Sequence, residues 1–90
     1  MYIDFNQLAE NSRLWVYGSS KIIKEADKVE IHNIIFPFLQ KWDHHGKSLT
    51  CSYTILNNHF LIVGLDESIN PTGGCSMDGL HKIILEIDQN

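Results

Sequence analysis

The sequence predicts an α+β domain of order β-α-β-β-α, and three patterns predict it. Ile31, Ile34, Ile35, Phe38, Leu39 and Trp42 recur with helical spacing. Leu49, Cys51, Tyr53 and Ile55 alternate with Thr50, Ser52 and Thr54, the period of a strand with one buried face. Met77, Leu80, Ile83, Ile84 and Ile87 return to the helical period near the end of the chain. Ninety residues with 43% apolar content suffice for one core and not for two, so residues 1–90 are read as a single domain.

Each element has local support. "RLWVYG" (13–18) is dense in aromatic and β-branched types and runs into Ser19-Ser20, which reads as a strand ending in a turn. The first helix is expected from about Asp27 to His45. Asp27 followed by Glu30 resembles a capping box, and Gly46 suits the stop. Pro37 inside it is expected to kink the helix or split it in two. Asn57-Asn58 tolerates the positive φ of a tight hairpin. Taken as a two-residue turn, it sets Ile55 opposite Phe60, Tyr53 opposite Ile62 and Cys51 opposite Gly64. The following "FLIVGL" is apolar on both faces, as a central strand would be.

These elements are expected to form a three-stranded mixed sheet with both helices on one face, like a ferredoxin-like fold lacking its last strand. The first strand would lie beside the third and parallel to it. Leu61, Val63 and Leu65 would then face away from the helices, and the first strand would have a free edge. Such a face needs a cover: a second copy in a homo-oligomer, a protein partner, or further sequence.

Composition excludes several classes of function. Seven Lys plus Arg against eleven Asp plus Glu give a net charge of -4, which argues against nucleic-acid binding. No stretch approaches the roughly 18 apolar residues of a membrane span. "MYIDFNQLAENSR" carries early acids and no apolar core, so a secretory signal is not expected and a cytoplasmic location is. Cys51 and Cys75 are too few for a disulfide scaffold. No cofactor motif is present. Gly46-Lys47-Ser48 imitates the end of a phosphate-binding loop, but the glycine required five residues earlier is Lys41.

The candidate site is a corner where two loops are expected to meet. "YGSSK" would bring Ser19, Ser20 and Lys21 from the first strand. "DESINPTGGCS" would bring Asp66, Ser68, Gly74, Cys75 and Ser76 from the third, with Asp78 just beyond. Glycines ahead of a helix start offer free backbone N–H groups and the positive end of its dipole, and Lys21 would add a charge. The expected ligand is a small anion or an acidic chain end. The plainer alternative is that Ser76 caps the helix and Asp78 complements its dipole, with no ligand at all.

Cys75 at a helix start is also a candidate thiolate for an enzyme or a redox sensor. His81, the nearest base in sequence, lies about one and a half turns into the helix, where reaching back is doubtful geometry. Cys51 belongs to the alternating core face. Asp43, His44 and His45 are read as closing the first helix, where histidines favour the dipole without a metal. No metal site is expected. A self-associating structural protein remains a third reading, compatible with the others.

"SRLWVYGSSK", "FLQKWDHHGKSLTCSYTILNNHFLIVGLDES" and "GCSMD" resemble a family of short uncharacterised bacterial proteins often labelled "ABC transporter ATPase". The resemblance spans nearly the whole chain and implies no activity, cofactor or catalytic residue. The label conflicts with the residues, since a transporter ATPase requires a P-loop and an acidic magnesium-binding strand end. The resemblance also implies a longer protein, of which this chain would be a fragment or a shortened relative.

Overall fold

The computed structural model describes residues 1–44, 46–67 and 74–88. A short 3-10 turn (Phe5–Gln7) precedes strand β1 (Arg13–Gly18) and helix α1 (Glu25–Lys41). Two-residue strands β2 (Asp43–His44) and β3 (Lys47–Ser48) pair with each other. Strands β4 (Thr50–Leu56) and β5 (Phe60–Asp66) form the main hairpin, and helix α2 (Gly74–Asp88) follows. The fold is α+β: two helices and a three-stranded antiparallel sheet of order β1-β5-β4.

Helix α1 forms where the apolar stripe predicts it, with Ile31, Ile35 and Leu39 buried. Asp27 does cap it, but from inside the first turn: its carboxylate accepts the Lys24 N–H at 3.0 Å. The helix runs unbroken through Pro37, which is exposed, so the split expected there does not occur. It ends at Lys41 rather than His45. Asp43 and His44 are extended and Gly46 takes φ +80°, so these residues make a small hairpin instead of a last helical turn. Helix α2 begins at Gly74, which places Ser76 in its first turn rather than ahead of it as a cap.

The sheet differs from expectation in direction. β1 pairs with β5 antiparallel, Arg13 opposite Leu65 and Gly18 opposite Phe60. A helix returning the chain along the length of a strand makes the strands on either side of it parallel. Those strands are β1 and β4, not β1 and β5. The hairpin then requires β5 to run against both, so the sheet is antiparallel and not mixed.

The register also differs, by one residue. Asn57 and Asn58 take φ 53° and 57°, as a tight turn requires. His59 joins them in the loop, its N–H donating to the Leu56 carbonyl at 3.2 Å, and Leu56 sits opposite Phe60. Ile55 therefore pairs with Leu61, Tyr53 with Val63 and Cys51 with Leu65. A shift of one residue exchanges the two faces of a strand. Leu61, Val63 and Leu65 are consequently buried with α1 and α2, not turned away from them. Val63 and Leu65 are wholly inaccessible, as are Ile35, Leu39, Leu49 and Leu80 in the same core. Each such side chain stabilises the fold by roughly 1.5–3 kcal/mol.

Candidate interaction surface

Opposite the helices lies the outer sheet face, formed by Leu14, Val16 and Gly18 of β1 with their cross-strand neighbours. Gly64, Ile62 and Phe60 of β5 continue those rows, and Ser52, Thr54 and Leu56 of β4 complete them. The chain treats the two halves of this face differently.

At the β1 start, the N-terminal segment folds over it. Ile3 N–H donates to the Cys51 carbonyl at 3.0 Å and Cys51 N–H to the Met1 carbonyl at 3.1 Å, which occupies part of the β4 edge. Phe5 and Leu8 then lie over Gly64. A methyl group at Gly64 would come within 2.5 Å of Leu8 Cδ1, so glycine is what lets this segment seat. Under it Ser52 is completely buried, and its hydroxyl has no hydrogen-bond partner among the described residues. Such a group is costly, so Ser52→Ala is expected to stabilise the domain by about 1 kcal/mol. A urea titration that shows Ser52→Ala less stable than the parent would contradict this packing.

Towards the hairpin, the outer face is open. Val16, Leu56 and Phe60 are 60%, 50% and 40% exposed, with Ile62 half-buried among them; Leu14, 51% exposed, stands at the boundary, in the row of Gly64 beside Phe5 and Leu8. Four large apolar side chains in adjacent rows form a patch rather than scattered exposure. Two of them lie on β1, which among the described residues pairs only with β5, so the patch reaches a strand whose other edge is unpaired by those residues.

Of the corner expected from the sequence, the described residues place Ser19, Ser20 and Lys21 at one end of the sheet and Asp66 at the other. Ser19, Ser20 and Lys21 follow the end of β1 beside the hairpin loop, where Ser19 N–H donates to the His59 carbonyl at 2.7 Å. The Ser19 hydroxyl is engaged locally, donating to the Lys21 carbonyl at 2.7 Å and accepting the Lys21 N–H at 3.2 Å. Asp66 is buried at the other end of β5, a seven-residue strand about 20 Å long. The antiparallel direction of β1 is the cause, because it sets the end of β1 and the end of β5 at opposite ends of the sheet. Glu67, next to Asp66, lies 3.8 Å from Arg13, whose guanidinium stacks 4.9 Å over Trp15. Gly74, Cys75 and Ser76 open α2 in the backbone, and their side chains lie outside the described residues, as does Ser68 entirely. Asp78 and His81 are exposed on α2.

Cys51 is a core thiol, as its alternation suggests. It is fully buried, and its Sγ donates to the Leu39 carbonyl at 3.3 Å. Burial pushes it up to about 11 from 9.0, against a smaller opposing pull from the N-terminal ammonium. The folded state thus keeps a proton that the unfolded chain loses above about pH 9. Its stabilisation is complete below pH 9 and is lost as pH rises towards 11, by about 3 kcal/mol in all. Tyr17 and Tyr53, both raised by burial, act in the same direction at higher pH. Urea unfolding at pH 7, 9 and 10.5 should show the fall, and Cys51→Ala should flatten it. An equal slope in both proteins would contradict the assignment.

Sequence reading missed two groupings. Tyr2, His32, Phe36 and Tyr53 form an aromatic cluster in which His32 stacks on Phe36 at 4.8 Å and its Nδ1 lies 2.6 Å from the Tyr53 hydroxyl. It fastens the N-terminal segment to α1 and β4, and no sequence period links residues so far apart. The outer patch was more legible. Of the two sets on β5, one includes Gly64 and Asp66 and the other is Leu61, Val63, Leu65; the set containing a glycine and an acid belongs outside. Among the described residues, no group of three His, Cys, Asp or Glu side chains is placed to hold a metal ion, and no helix is long and apolar enough to cross a membrane. No known protein family, curated protein or solved structure matches the chain.

Proposed function

We propose that this chain is a protein-interaction module working through the open half of its outer sheet face, with the strand order supporting a ferredoxin-like arrangement short of its last strand. One observation carries the reading: Leu14, Val16, Leu56 and Phe60 are displayed together on one sheet face, beside a strand edge that is unpaired among the described residues. Small domains depend on covering apolar surface, and a contiguous patch left open serves binding more readily than stability. The anion-binding reading is weaker, because Lys21 and Asp66 are separated by the length of β5. It retains only the start of α2, which by itself selects no ligand. The thiol reading of Cys75 rests on sequence alone.

The test is a photo-crosslinking amino acid placed at position 16, on the patch, or at position 30, exposed on α1. In cells that make the protein, adducts formed from position 16 and absent from position 30 support the reading. The same adducts from both positions, or none from position 16, overturn it.

A further inference from the structure

We propose that the occupant of this face is a second copy of the chain, packed sheet against sheet about a two-fold axis. This rests on the interaction reading above and names its partner. The area favours a copy. Leu14, Val16, Leu56 and Phe60, about half exposed, present with Ile62 on the order of 400 Å² of apolar surface. Two such patches face to face bury about 800 Å², and with a polar rim the contact reaches roughly 1,200 Å², the lower end of specific dimer interfaces.

The charge distribution favours it as well. Between the hairpin and the N-terminal segment, the three strands present Val16, Thr54, Leu56, Phe60 and Ile62 on the outer face and no charged residue, with Leu14 at the boundary where Glu10 of the segment comes near. A net charge of -4 opposes self-association, so a patch free of acids is where two copies meet with the least repulsion. Equally, it offers no anchor to a partner of strong opposite charge. Two antiparallel sheets pack about 10 Å apart with their strands roughly aligned, interleaving inner side chains. The N-terminal segment stands above the sheet at one end only, so a two-fold arrangement sets it beside the partner's hairpin end. The helices remain on the outside of the resulting four layers.

Sedimentation velocity of the purified chain from about 5 to 500 µM tests this. The expected result is a monomer–dimer equilibrium, with Val16→Lys and Leu56→Lys each raising the dissociation constant at least tenfold while circular dichroism stays unchanged. Both positions are at least half exposed, so both variants are expected to fold. The position-16 crosslink should then give a product of twice the chain mass. A monomer throughout the range, or a dimer indifferent to both substitutions, overturns the second copy. In that event a position-16 adduct to a different protein leaves the interaction reading standing, and its absence removes both.

Discussion

Val63→Lys is expected to unfold the domain, whereas Val16→Lys leaves it folded. The two residues belong to neighbouring strands and are the same side chain, but they lie on opposite faces. Val63 is wholly inaccessible among α1, α2 and the sheet; Val16 is 60% exposed. An unpaired ammonium in the core costs several kcal/mol even after it sheds its proton. That is comparable to the total stability of a domain this size, about 5–15 kcal/mol. Circular dichroism and a thermal melt of the two variants suffice. If Val63→Lys melts like the parent, the register is wrong by one residue and the outer face is the one carrying Leu61, Val63 and Leu65.

The second large effect is at the end of α1. Trp42 is 4% exposed, its ring centroid 6.5 Å from Trp15 of β1 and 5.2 Å from Phe38. Phe38 in turn abuts Gly79 of α2, where an added methyl group would come within 3.1 Å of its ring. One indole thus joins the end of α1 to the edge strand and, through Phe38, to the second helix. Trp42→Ala removes that volume from a site bounded by three elements, which leaves little scope for collapse. The expected loss is about 3–5 kcal/mol, or a fall in Tm of roughly 15–30 °C. A loss below about 1 kcal/mol would mean that these elements are held together elsewhere.

The elements were legible in the sequence because each rests on local chemistry. Arg13–Gly18 is extended as its aromatic and β-branched residues suggest, and Ile31, Ile35, Leu39 and Trp42 are buried as their spacing requires. What the sequence left open was how the elements meet. Asn57-Asn58 announces a turn, but nothing in those two residues states that His59 belongs to it, and that single residue decides which face of β5 is inside. Strand direction is likewise a property of the crossover rather than of the strands. The expected approach of Lys21 to Asp66 within the proposed corner depended on direction, and the two lie at opposite ends of the sheet; the expectation that Leu61, Val63 and Leu65 face away from the helices depended on register, and they are buried instead. Burial of Cys51 needed neither and was readable from alternation alone.

The strand order also governs the sequence of events in folding. β1 and β4 are not paired with each other; β5, which follows both along the chain, lies between them. The hairpin joins near neighbours and closes within microseconds, while β1 must wait for a strand that follows it by the whole of α1 and the hairpin. β1 is therefore expected to dock last and to detach first. Hydrogen exchange should find the β1 amides that bond to β5 opening ahead of those linking β4 to β5, and the reverse order would place the folding nucleus elsewhere. The moment at which the patch on Leu14 and Val16 comes into being is then the final step of folding, and a chain still short of that step lacks the face proposed here for binding.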